Sequence, residues 1–120
     1  MKVAVSAQGQ ELSSQVDPRF GRCSWFVVYD TDSGHYQAVS NGQNLNARQG
    51  AGIQAAENAS RQGVKAVITG HCGPKAFRVL QSAGVKVFYG SGGTVGEVLE
   101  RMQKGLLEEA GGADVEGHWM

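Results

Sequence analysis

From residue 64 onward the pattern becomes regular: short β-branched runs and glycine turns alternate with amphipathic stretches, without an internal sequence repeat. Residues 64–69 (VKAVIT) read as a buried strand. Pro74 falls where a first-turn helix proline belongs, and Ala76-Phe77-Arg78-Val79-Leu80 carry that helix to Gly84. Residues 85–89 are the next strand, and Gly90-Ser91-Gly92-Gly93 is the turn after it. Thr94-Val95-Gly96-Glu97 spells a capping box. Val95, Val98, Leu99 and Met102 then fall at i, i+3, i+4 and i+7, one buried helix stripe. Strands that alternate with helices need crossover connections, so part of the sheet must be parallel. Nothing else in the sequence narrows the fold as far.

The first half supplies the remaining strands. Residues 2–7 alternate Val3, Val5 and Ala7 and predict a strand. A polar loop runs from Gln8 to about Cys23, and residues 25–29 (WFVVY) predict a second strand. Asp30-Thr31-Asp32-Ser33-Gly34 is a turn, which makes residues 35–40 the returning arm of a hairpin. After the polar loop from Asn41 to Asn46, a helix is expected from about Arg48 to Gln62, closed by Gly63. Its apolar face is small (Ile53, Ala55, Ala56, Ala59), which suits close packing on a sheet. The 120 residues suffice for one domain. The expected architecture is α/β: a mixed five-stranded sheet with helices on both faces. The expected boundaries are 1–104 for the single domain and 105–120 for a weakly ordered tail.

Charge and cysteine usage limit the function classes. Lys and Arg total 11, as do Asp and Glu. No global basic field draws nucleic acid, so any anion site must be local. The chain enters its first strand directly from Met1, with no apolar signal region. No stretch approaches the roughly 18 apolar residues of a membrane span. The expectation is a cytoplasmic protein with neither nucleic acid nor membrane as partner. Cys23 and Cys72 are the two cysteines; no C-x-x-C pair and no structural zinc spacing is present.

Ligands of such sheets bind beyond the carboxyl ends of the parallel strands. The turns His71-Cys72-Gly73 and Ser91-Gly92-Gly93 both sit there, each leading into a helix N-terminus. Unmatched N–H groups and the helix dipole favour an anion at such ends. The bland reading is that the glycines only make tight turns. Cys72 is a candidate metal or redox thiol, against a small buried apolar residue as the alternative. His71 is either a metal ligand or proton carrier, or simply the end of a strand. Cys23 reads as structural. Arg19 and Arg22, in Asp17-Pro18-Arg19-Phe20-Gly21-Arg22, offer planar donors suited to a many-atom anion, or else a salt bridge to Asp17. Asn44, Asn46 and Arg48 offer further donors before the first long helix.

Val16-Asp17-Pro18-Arg19-Phe20-Gly21-Arg22 with Trp25-Phe26, then Gly50-Ala51-Gly52, then Gly70-His71-Cys72-Gly73-Pro74-Lys75-Ala76-Phe77 resembles the dinitrogenase iron–molybdenum cofactor biosynthesis family. The likeness runs over residues 1 to about 104 and is strongest to small stand-alone members. It implies a ribonuclease H-like three-layer fold. It also implies non-enzymatic binding, carriage or assembly of an anionic metal–sulfur cluster. That cargo would be a Mo–Cu sulfide cluster or a related molybdenum or iron–sulfur cluster, held non-covalently. The cradle implied is Arg19, Arg22, His71, Cys72, Gly73, Ser91, Gly92 and Gly93. The partners implied are donor and acceptor proteins of cluster assembly, with the chain a monomer or weak dimer. Two competing readings are a hydrolase and a phosphate- or nucleotide-binding regulatory module. The first needs clustered carboxylates, which the first strand lacks. The second finds no Walker spacing in Gly70-His71-Cys72-Gly73-Pro74-Lys75.

Overall fold

The computed structural model describes residues 1–41, 51–90 and 92–111. The elements run β1 (Lys2–Ala7), β2 (Trp25–Asp30), β3 (Tyr36–Ser40), α1 (Ala51–Arg61), β4 (Ala66–Thr69), α2 (Pro74–Ser82), β5 (Lys86–Tyr89), α3 (Val95–Gln103) and β6 (Glu108–Glu109). They form one sheet in the order β3-β2-β1-β4-β5-β6. β1, β4 and β5 are parallel neighbours, β2 and β3 form the expected antiparallel hairpin, and β6 returns antiparallel on β5. Asn44, Asn46 and Arg48 lie outside the described residues.

Side-chain alternation divides the core into two. Ala4, Phe26, Val28, Val67 and Val87 face α1 and α2. Val3, Val5, Val27, Ala66 and Ile68 face α3. The three layers therefore follow from the strand period. α1 presents only Ala51, Ala55, Ala56 and Ala59 as buried apolar groups. Such short side chains let α1 approach both the sheet and α2. Gly52 shows how close that approach is: a Cβ there would lie 3.3 Å from the Ala76 Cβ.

The sheet has six strands, not the five expected. The sixth lies beyond residue 104, where the sequence suggested only a tail. Gly105 takes a left-handed conformation (φ 73°), and Leu106 N–H closes back on the Arg101 carbonyl. Leu107 then packs into the α3-side core, and Ala110 N–H donates to the Val87 carbonyl. Glu108 and Glu109 pair with Tyr89 and Phe88 as exposed residues. Two adjacent glutamates have no apolar alternation, so hydrophobic patterning cannot see this strand. Among the described residues no helix is long and apolar enough to cross a membrane.

The expected capping box of α3 is present. The Thr94 hydroxyl accepts from Glu97 N–H at 3.2 Å, and the Glu97 carboxylate accepts from Thr94 N–H at 2.7 Å. The Thr94 N–H bond holds the Glu97 carboxyl below its ordinary range. Because the folded-state pKa is depressed, this stabilisation is complete above the unfolded-state value of about 4.3. It is lost as pH falls through the folded-state value. Thr94→Ala is expected to cost about 1 kcal/mol at pH 7. Urea unfolding at pH 7 measures it, and Glu97→Gln, which removes the titrating carboxylate, should show a loss at pH 7 that shrinks at pH 3.

Candidate anion site at the end of the parallel strands

The loop after β1 does not drift over the surface. It runs antiparallel to the end of β1 at Val16, pairs with Thr94 at Gln15, and lies parallel to the β4–α2 turn at Arg19–His71. Pro18 O accepts from His71 N–H at 2.7 Å, and His71 O accepts from Phe20 N–H at 3.3 Å. Asp17 is buried; its N–H donates to the Ser6 carbonyl at 2.9 Å. Glycine makes these approaches possible. A Cβ on Gly70 would meet the Pro18 Cα and Cβ at 2.9 Å, and one on Gly21 would meet Gly52 backbone at 3.0 Å. All three sequence signatures thus converge on one end of the molecule.

Arg19 spends its donors locally. Its backbone N–H, Nε and one Nη each reach the Asp17 carboxylate, at 2.9, 3.2 and 3.2 Å. The Asp17 side chain is 3% exposed and the Arg19 side chain 65% exposed, so Arg19 caps a buried carboxylate. That hydrogen bond and charge hold the Arg19 proton more firmly than usual. Of the two alternatives read from sequence, this is the salt bridge to Asp17. Arg22 is half-buried in the same loop.

The two candidate helix ends differ. At α3, Val95 N–H donates to Ser14 O (2.9 Å), Gly96 N–H to Leu12 O (2.8 Å), and Glu97 N–H to the Thr94 hydroxyl. Gly92 and Gly93 have positive φ; their carbonyls accept from Arg101 (3.2 Å) and Val16 N–H (3.0 Å). This end is matched by the protein itself. Ser91 lies outside the described residues. At α2, the N-cap is Gly73, with extended backbone and no side-chain cap. Pro74 has no N–H, and Phe77 N–H is taken by the Gly73 carbonyl. The N–H groups of Lys75 and Ala76 have no hydrogen-bond partner among the described residues.

Those residues line a pocket of about 290 Å³. Its other walls are Phe20 and Gly21 from the laced loop and Gly52 and Ile53 from the first turn of α1. Most of the lining is apolar, Lys75 is the cation, and the N-terminus of α2 meets the described start of α1 there. Two other pockets lie at the β2–β3 hairpin and between α2, β5 and β6.

The His71-Cys72-Gly73 turn splits its side chains. His71 is exposed, while Cys72 is fully buried in the core on the α1 and α2 side. A metal on the Cys72 sulfur would have to sit inside that core. Cys23 is buried too, its thiol donating to the Phe20 carbonyl at 3.3 Å. Burial first, then the Asp17 charge, pushes the Cys23 thiol up to about 12. Neither cysteine is in a disulfide. Among the described residues, no three His, Cys, Asp or Glu side chains are grouped as a metal site.

Of the residues named from sequence, Gly73 lines the pocket, and Arg19 and His71 form the strip beside it. Gly92 and Gly93 close α3 instead. Sequence reasoning missed Phe20, Gly21, Gly52, Ile53, Lys75 and Ala76 as pocket walls. Their signal was present, since Phe20-Gly21 and Gly52 stand inside the signatures, but only the fold shows that they touch.

The sequence model of a family described as dinitrogenase iron-molybdenum cofactor matches residues 1–105. The structure is similar to the apo form of the orange protein from Desulfovibrio gigas, with a TM-score of 0.92 and 40% identity. That match covers 94% of this chain and 95% of the other. A Thermotoga protein described from its NMR structure as a candidate NifB protein of the DUF35 family gives a TM-score of 0.84 at 37% identity, over 97% and 98% of the two chains. An uncharacterized protein of Methanocaldococcus jannaschii is 29% identical over 111 residues, 91% of each chain.

Two outcomes follow from this geometry. Neither thiol of the native protein should react with a thiol-specific dye at pH 8, whereas both should react in denaturant. Gly70→Ala should destabilise the fold by about 1–3 kcal/mol, since the Pro18 backbone must move; urea unfolding measures it.

Proposed function

The chain belongs to the dinitrogenase iron–molybdenum cofactor family, and from that premise we propose that it binds and carries an anionic metal–sulfur cluster. The carrying observation is the uncapped N-terminus of α2, open onto the pocket it shares with α1. Unmatched N–H groups supply hydrogen bonds to an anion, and the aligned peptide dipoles add positive potential. Apolar walls favour a large, weakly hydrated anion over a strongly hydrated oxyanion, which would lose more solvation on entry. Sulfido-bridged molybdenum clusters, of the Mo–Cu or iron–molybdenum type, are anions of that kind.

In this reading the main chain of Gly73, Lys75 and Ala76 faces the cargo, with Lys75 adding charge. Arg22, His71 and the strip at Arg19 form the rim. Gly92 and Gly93 serve α3, and Cys72 supports the floor as a packed thiol. The protein acts as a carrier between donor and acceptor proteins in the cytoplasm, a monomer or weak dimer without nucleic acid or membrane. The ribonuclease H-like assignment belongs to the same proposal. It is supported by the strand order β3-β2-β1-β4-β5 with β2 alone reversed among those five. A hydrolase reading would look to Asp30 and Asp32, but Asp30 pairs with Lys2 at the opposite end of β1 from the pocket.

Titrating the ligand-free protein with tetrathiomolybdate and copper(I) is expected to produce new visible absorption that saturates at a fixed ratio of cluster to protein. Cys72→Ala should retain this uptake, and Lys75→Glu should weaken it by roughly tenfold, from reversal of one charge at the helix end. No new absorption from the wild type, or loss of uptake in Cys72→Ala, would contradict the proposal.

A further inference from the structure

Five described residues are polar or charged and buried: Ser6, Asp17, Asn41, Asn58 and Thr69. Three of them meet at one point, where β1 and β4 end beside the pocket. The Ser6 hydroxyl donates to the Asp17 carbonyl at 2.7 Å and lies 2.8 Å from the Thr69 hydroxyl oxygen. A hydroxyl has one proton, so Ser6, having spent its own on Asp17, accepts from Thr69. Both side chains are fully buried, on strand positions that otherwise place Ala4 and Val67 in the core.

Apolar side chains would fill these two sites without any need for a partner. A buried polar pair costs desolvation, and what it returns is a fixed geometry. The geometry fixed here is that of Asp17, the residue on which the laced loop turns. Asp17 leads through Pro18 to Phe20 and Gly21, one wall of the pocket. Thr69 leads through Gly70 to Gly73, Lys75 and Ala76, the facing wall. The Ser6–Thr69 pair is therefore a side-chain tie that joins the roots of both walls. The tie is seconded by the main-chain bonds between Pro18, Phe20 and His71.

We propose that the Ser6–Thr69 hydroxyl pair is a positioning element that sets the separation of the two pocket walls, and with it the affinity for the cargo. The affinity half of this statement rests on the metal–sulfur cluster reading above; the geometric half does not. Ser6 and Thr69 touch no cargo and act only through the segments they tie.

The test compares wild type, Thr69→Val, Ser6→Ala and Thr69→Ser. Amide NMR spectra of the ligand-free proteins, urea unfolding, and titration with tetrathiomolybdate plus copper(I) are the measurements. Thr69→Val, of nearly the same shape, should shift the amides of Phe20, Gly21, Gly73 and Ala76 and weaken uptake by roughly fivefold, the scale of one hydrogen bond. Ser6→Ala should move the same amides, so the result does not hang on one variant. Thr69→Ser keeps the hydroxyl and should return both readouts to within about twofold of wild type. A pair that merely stabilises would lower the urea midpoint and leave amides and affinity unchanged, which would overturn the proposal. So would a Thr69→Ser protein that behaves like Thr69→Val. If the wild type takes up no cluster, the carrier reading fails, while the ligand-free amides still decide whether the pair sets the walls.

Discussion

The structure depends on the close crossing of the Asp17–Gly21 segment over the ends of β1 and β4. Two things permit it. Gly70 and Gly21 have no Cβ where Pro18 and Gly52 pass, and the buried Asp17 carboxylate is matched by Arg19 from its own loop. Once that crossing is made, the loop covers the sheet end, ties to the β4–α2 turn and supplies one wall of a pocket. Without it, α2 would still begin at Pro74, but its free N–H groups would face bulk water. A helix end in water holds an anion weakly, since solvent screens the charge.

The same crossing explains why the two helix ends have different uses. The early part of the loop, Leu12 to Gln15, reaches α3 and matches its first N–H groups. The later part, Phe20 and Gly21, stops short of α2 and leaves its end open. One loop therefore closes one anion-prone helix end and frames the other. In the proposed reading, a chain with no net charge would hold an anion through a local positive potential, made of peptide groups and one lysine.

The parallel core, the hairpin, the α3 capping box and the order of elements were legible because each has its own period or capping signal. β6 was not, because a two-residue acidic strand has no pattern and depends on Gly105 turning the chain back. The candidate site was legible in part. A glycine turn before a helix proline marks α2 from sequence, whereas Ser91-Gly92-Gly93 carries an equally good signal and leads to a closed end. Sequence cannot show that Leu12 and Ser14 supply the missing acceptors from about eighty residues away. Arg19 shows a similar limit, since its charge is visible in the sequence but its commitment to Asp17 is visible only in the fold. Cys72 sits at a helix N-terminus as the sequence says, yet the turn after β4 breaks the strand alternation, packing Cys72 into the core on the α1 and α2 side and leaving His71 exposed.

The central claim is that cargo meets the open end of α2 and not the closed end of α3. Amide NMR during titration of the ligand-free protein with preformed thiomolybdate–copper cluster tests it directly. The account predicts that Gly73, Lys75 and Ala76 shift together with Phe20, Gly21, Gly52 and Ile53, while Val95, Gly96 and Glu97 stay in place. Shifts centred on residues 95–97, with the α2 amides unmoved, would contradict it.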